Sequence, residues 1–182
     1  MSHHAPDDVV RPLLRVRQTR AFSDAPVDPD ALEAITDAAR WSGSSRNSQP
    51  WRFIVVREPA TLAAIAQTGM PQTRALATAT AAIAIVMPRE SGSGISNAYD
   101  EGRAAERILV AASFLGLGAG IAWIRSEVRP EVGALLGLPE DRFVRTVVAI
   151  GHATDEGRRP KSAPGEARLP RAATVLEERW PG

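Results

Sequence analysis

Four short apolar runs constrain this chain most: residues 53–56 (Phe-Ile-Val-Val), 83–86, 121–124 and 144–150. Each is rich in β-branched side chains and bounded by turn residues, which predicts buried strands. Stretches with helical spacing lie between most of them. Asp28-Pro29 offers an N-cap and a first-turn proline. Leu32, Ile35 and Ala39 then keep the helical period as far as Trp41. Glu58-Pro59 opens another helix, and Pro130 a short one that Gly137 closes. Residues 99–115 read as the strongest helix, with Ala104, Ala105, Ile108, Leu109, Ala112 and Leu115 on one broad stripe. Shorter helical stretches are expected at 9–16, 75–81 and 175–180. Helices interleaved with strands predict an α+β fold, an α/β sandwich.

A chain of 182 residues can bury one core of its own. No internal repeat or linker divides it, so residues 1–10 are expected to be a flexible terminus and 11–182 a single domain. The stretch 154–173 is rich in Pro, Arg and Gly and lacks an apolar period. It cannot bury itself and is expected to wrap a second subunit. A net charge of +1 argues against nucleic acid as a partner. The absence of Cys excludes disulfides and thiolate chemistry. The first eight residues lack the apolar core of a signal peptide. The run 75–87, broken by Thr78 and Thr80, is too short to span a membrane. The expected location is cytoplasmic.

Several chemistries are poorly supported. Gly116, Gly118 and Gly120 follow a helix and precede a strand, the reverse of a dinucleotide fingerprint. His152 is the only histidine after residue 4, and no serine sits in a nucleophile elbow, so a hydrolytic triad is not supported. His152 reads as structural. No cluster has metal-ligand spacing. We therefore assign no catalytic side chain and no metal; the reaction is left to a cofactor.

The positive signal is a combination. Arg17-Gln18-Thr19-Arg20 presents two guanidinium groups, the side chain best suited to grip phosphate bidentately. The loop Ser44-Ser45-Arg46-Asn47-Ser48-Gln49 supplies hydroxyls and amides for the polar edges of a flat ring, and Pro50-Trp51 anchors it to the strand that follows. Arg168-Leu169-Pro170-Arg171 adds a basic element far along the chain. Together they fit a mononucleotide with one phosphate.

Arg17-Gln18-Thr19-Arg20-Ala21-Phe22, followed by a helix and then Ser44-Ser45-Arg46-Asn47-Ser48-Gln49-Pro50-Trp51, resembles the opening of the FMN-dependent nitroreductase family. Ala111-Ala112, Leu115-Gly116-Leu117-Gly118, Leu136-Gly137-Leu138-Pro139-Glu140, Val148-Ala149-Ile150-Gly151 and Arg168-Leu169-Pro170 are similar to its later landmarks, in order. The sequence departs from the family where Val16 replaces an Arg, Gly43 a Pro, and residues 121–125 the usual glycines.

The resemblance implies a nitroreductase-like fold with a mixed central sheet flanked by helices, and a homodimer with FMN at the subunit interface. NAD(P)H would be the co-substrate, and a nitroaromatic, quinone or activated alkene the electron acceptor, in a ping-pong cycle. Carried over by position, Arg17, Gln18, Thr19 and Arg20 would meet the phosphate and ribityl chain, and Arg168 would be a second phosphate ligand. Ser44, Ser45, Asn47 and Gln49 would contact the flavin, partly from the partner subunit, and Gly120, Ile121 and Ala122 would lie near the ring. The alternative is a flavin-storing or flavin-consuming protein on the same fold. Residues 88–97, with their Ser-Gly repeats, could form a lid over such a site or a plain surface connection.

Overall fold

The computed structural model describes residues 6–89, 94–160, 162–163, 166 and 168–180. A four-stranded sheet runs through its centre in the order β1-β2-β4-β3. The strands are β1 (Arg52–Val56), β2 (Ala81–Pro88), β3 (Gly118–Trp123) and β4 (Arg142–Gly151), and all three pairings are antiparallel. Where a mixed sheet is expected, parallel pairing among the described residues is confined to one bridge, Gln18 to Ala119. β2 and β4 hold the centre for a reason visible in their composition. β2 is buried from Ala81 through Met87 and β4 from Thr146 through Gly151, so neither face of these strands is available to water.

Helices cover both faces. α2 (Pro29–Arg40) and α4 (Gly94–Phe114) contribute Leu32, Ile35, Ile108 and Leu109 to one cluster with Ile83, Ile85, Val148 and Ile150. α3 (Pro59–Thr68) and α5 (Arg129–Leu135) contribute Leu62, Ile65 and Val132 to a second cluster with Val56, Ala84 and Val147. Alternate strand residues thus serve opposite layers, and each fully buried aliphatic contributes about 1.5–3 kcal/mol. Three further short α-helices are found among the described residues: α1 (Pro6–Leu14), α6 (Asp155–Arg158) and α7 (Arg171–Thr174).

Local chemistry sets the ends of the main helices. The Asp28 carboxylate accepts the Asp30 N–H at 2.9 Å, with Pro29 in the first turn of α2. α4 closes at Gly116, whose φ of 73° suits a residue without Cβ. There the Gly116 N–H reaches the Ser113 carbonyl (3.1 Å) and the Leu117 N–H the Ala112 carbonyl (2.9 Å). This pair of hydrogen bonds ends the helix in a left-handed turn and lets β3 begin two residues later.

Some boundaries differ from the expected ones. α4 begins at Gly94, so residues 94–97 of the stretch 88–97 are helical, and Pro88 ends β2; residues 90–93, where the rest of the lid reading falls, lie outside the described residues. β3 begins at Gly118 rather than 121, because its glycines are dictated by a neighbour and carry no strand signal. Residues 75–81 hold only a 3-10 turn, Arg74–Ala77, before β2. The helical turn expected at 175–180 is displaced to α7, which Pro170 starts, and the backbone beyond is interrupted by Glu178 at φ 60°. Among the described residues, no helix is long and apolar enough to cross a membrane.

Candidate functional site

After α1 the chain turns and runs along the outer edge of β3. The Thr19 N–H donates to the Ala119 carbonyl at 2.7 Å. One residue earlier, Gln18 Oε1 accepts the Ile121 N–H at 3.1 Å. The approach is this close because Gly120 has no side chain: a Cβ there would stand 2.1 Å from the Thr19 carbonyl oxygen. Further on, Phe22 is buried and donates its N–H to Thr78 Oγ1 at 3.3 Å. The Ser23 N–H bonds to the His152 carbonyl at 2.8 Å, and the Thr154 N–H to the Ala21 carbonyl at 3.2 Å. His152 therefore serves this segment through its backbone. Thr19 and Phe22 are the buried pins, and Arg17, Gln18 and Arg20 stand exposed between and beside them. The result is two guanidinium groups on a backbone that is fixed at both ends.

The same bonds orient β3. Neighbouring residues of an antiparallel ladder turn their backbone groups to opposite sides. With Ala119 and Ile121 directed to the edge, Gly120 and Ala122 face the β4 ladder. Ala122 is fully buried and Thr19 nearly so. Of the residues read from the sequence as cofactor contacts, these two have their side chains inside the protein. Ile121 is the expected ring neighbour that presents its amide to the edge, where Gln18 meets it.

The Ser44-to-Gln49 loop is held differently. Residues 45–47 form a 3-10 turn, and Ser44 Oγ accepts the Gln49 N–H at 2.9 Å. Arg46, Asn47 and Gln49 all have positive φ, at 52°, 55° and 45°. Left-handed backbone at non-glycine residues costs on the order of 1–3 kcal/mol each and collects at functional sites. Trp51 is buried in the cluster formed by α2 and α4, as expected of an anchor, and Arg142 Nη1 donates to the Pro50 carbonyl at 3.3 Å. Ser45, Asn47 and Gln49 are exposed and Ser44 half-buried. Within one chain, the arm at 17–20 is bonded to β3, whereas the loop is bonded to α4 and to its own turns. Arg168 is exposed in the tail.

An arginine arm, an amide loop and an intervening α2 in this order are matched by one family pattern, that of the nitroreductase family, over residues 15–152. The chain belongs to the nitroreductase family. It is similar to an Archaeoglobus fulgidus protein with the provisional name NADH dehydrogenase/NAD(P)H nitroreductase: the two are 33% identical over 146 residues, 77% of this chain and 82% of that protein. It is also similar to a Thermus thermophilus NADH dehydrogenase, at 26% over 179 residues, 79% of this chain and 86% of that one. An FMN-dependent nitroreductase of Clostridium difficile has the same fold, with a TM-score of 0.79 at 24% identity, covering 93% of this chain and 98% of that one.

Around the site, this nitroreductase-family chain carries supports that sequence reasoning missed. Asp100 and Glu101 of α4 are both buried, each 2% exposed. The Ser45 N–H donates to Asp100 Oδ1 and Oδ2 at 3.2 and 3.0 Å. Glu101 Oε2 accepts from Arg145 Nε at 2.9 Å and also from Nη2, while its Oε1 has no partner among the described residues. Arg145 is the residue of β4 that the bulge at Ile85/Val86 leaves out of register, and a bulge re-aims the side chain it carries. Its guanidinium lies 5.9 Å from the Trp123 ring centre and 5.6 Å from that of Phe143. Arg129 packs against the same two rings. Just past β3, Glu127 is held below the usual carboxylate value, chiefly by a backbone hydrogen bond; desolvation opposes this, and Ser126, Arg125 and Arg129 add smaller lowering effects. One sequence signal could have exposed part of this. Glu101 lies on the stripe of Ala104, Ala105 and Ile108, where a carboxylate is out of place unless paired.

Proposed function

We propose that this chain is an FMN-dependent oxidoreductase that takes hydride from NAD(P)H and reduces a small acceptor, a nitroaromatic, quinone or activated alkene, in a ping-pong cycle. The observation that carries this reading is the pinned arm: Arg17 and Arg20 exposed on a backbone that β3 holds through Thr19 and Gln18. The donor set suits the group. Guanidinium groups match a terminal phosphate, and the exposed amides of Asn47 and Gln49 match the polar edges of a flavin ring.

When bound, FMN would supply a ring that accepts hydride and returns electrons to the acceptor. The chain's own residues bind and orient. Arg17 and Arg20 would grip the phosphate, with Arg168 as a second ligand, and Gln18 would face the ribityl chain. Ser44, Ser45, Asn47 and Gln49 would fix the ring's orientation, and the β3 backbone at Gly120, Ile121 and Ala122 would lie beside it. No side chain need transfer a proton. Guanidinium groups and backbone amides stabilise negative charge without titrating.

Two copies complete the site in this reading. The apolar face of α1 is uncovered in one chain, with Val9 66% and Leu14 78% exposed, and so is the tail, with Leu169 71% and Trp180 84% exposed. Surfaces of this kind support a subunit interface, with the tail wrapped on the partner. The location proposed is cytoplasmic.

The test is spectroscopic. Purified protein mixed with FMN should retain a flavin spectrum through gel filtration at dimer size, and NADH or NADPH should bleach it. No retained flavin overturns the reading. A bound flavin that neither nucleotide bleaches points instead to storage, and net loss of FMN to a flavin-consuming reaction.

A further inference from the structure

We propose that Asp100 is a positioning residue for the cofactor loop, acting through the Ser45 amide; the inference rests on the flavin reading above. The loop has an unfavourable backbone, with Arg46, Asn47 and Gln49 all left-handed. Such a conformation persists only where neighbours fix it. Asp100 is the buried group that does so. Both of its carboxylate oxygens lie within 3.2 Å of the Ser45 N–H, the amide that opens the 3-10 turn and that has no partner within it.

Asp100 Oδ1 is also approached by Arg103, whose Nη1 lies 3.7 Å from it and donates to the Gly43 carbonyl at 3.2 Å. The loop entrance, Gly43 to Ser45, is thus held from both ends by one turn of α4. α4 is itself seated on the sheet through Ala104, Ala105 and Ile108, all buried. Asp100 therefore transmits the position of the core to a loop that, apart from the half-buried Ser44, is exposed. Asp100 touches no ligand in this scheme. It sets the geometry of Ser44, Ser45 and Asn47, which do.

The experiment compares the wild type with Asp100→Asn and Asp100→Ala. Asn keeps an oxygen acceptor for the Ser45 amide; Ala removes it. FMN affinity is read by quenching of flavin fluorescence, and amide exchange of residues 45–47 is read in the apoprotein. We expect Asp100→Ala to weaken FMN binding about tenfold or more, the scale of a lost hydrogen bond to a charged group, and to speed exchange at Ser45. Asp100→Asn should restore most of both. An Asp100→Ala protein that binds FMN within about twofold of wild type, at the resolution of a single hydrogen bond, overturns the inference and leaves the flavin reading standing. If wild type itself takes no FMN, the flavin reading falls, and exchange decides the positioning role: faster exchange at Ser45 in Asp100→Ala supports it, and unchanged exchange overturns it.

Discussion

The carbonyl oxygen of Thr19 occupies the space where Gly120 would carry a side chain, 2.1 Å from an ideal Cβ. Backbone cannot yield here as the end of a long side chain could. Gly120→Ala should therefore lift the arm from β3 and destabilise the protein by about 1–3 kcal/mol, the usual range for overpacking. Thermal melting measures the loss, and faster exchange at the Thr19 amide would locate it. An unchanged melt with protected Thr19 would show that the arm is less tightly placed than described.

In the proposed site Arg20 and Arg168 each make a charge-assisted phosphate contact, so Arg20→Ala and Arg168→Ala should each weaken FMN binding by about tenfold or more. Wild-type affinity should fall as salt rises, and more steeply than in either variant. Equilibrium titration of flavin fluorescence at two ionic strengths decides it; equal affinities in all three proteins would place the phosphate elsewhere.

Arg145→Met leaves the Glu101 carboxylate buried without its cation. Breaking such a pair from one side costs about 3–5 kcal/mol. The double variant Glu101→Leu with Arg145→Met should recover much of that, because a well-packed apolar pair avoids the stranded charge. Urea denaturation of the two proteins gives the comparison, and a single variant as stable as wild type would contradict it.

Glu127 offers a pH test. Its folded carboxyl is held below the ordinary value, mainly by a backbone hydrogen bond. A lowered folded pKa contributes stability that is present above the unfolded pKa and lost as pH falls through the folded one. An NMR titration of this carboxyl should accordingly show a midpoint below that of a model glutamate. Arg125→Gln should move it part of the way back up; a midpoint at the ordinary value in wild type would be the contrary result.

What the sequence revealed was what is decided locally. The cap at Asp28, the turn at Gly116 and the β-branched run of β2 each depend on a few neighbouring residues, and each was readable. The contacts that build the site join distant positions: Gln18 with Ile121, Ser45 with Asp100, Glu101 with Arg145. Asp100 looks like an ordinary charge near a helix start until the fold buries it, and the place of Glu101 on an apolar stripe does not name its partner. Gly118 and Gly120 look like the end of a helix because their strand role comes from Thr19, about a hundred residues earlier. The bulge that aims Arg145 exists only once β2 and β4 have paired. The arginines and amides were visible as types; their supports were not, because no local rule creates them.

The sheet has two outer strands, and the bridge from Gln18 to Ala119 treats one of them specially. An uncovered rim is a template on which another chain can add a strand. Along β3 the outward groups of Ala119 and Ile121 are already engaged by residues 18 and 19. The segment that carries Arg17 and Arg20, the proposed phosphate grip, is therefore also a guard against misassembly. Removing it would turn a defect in binding into a tendency to aggregate.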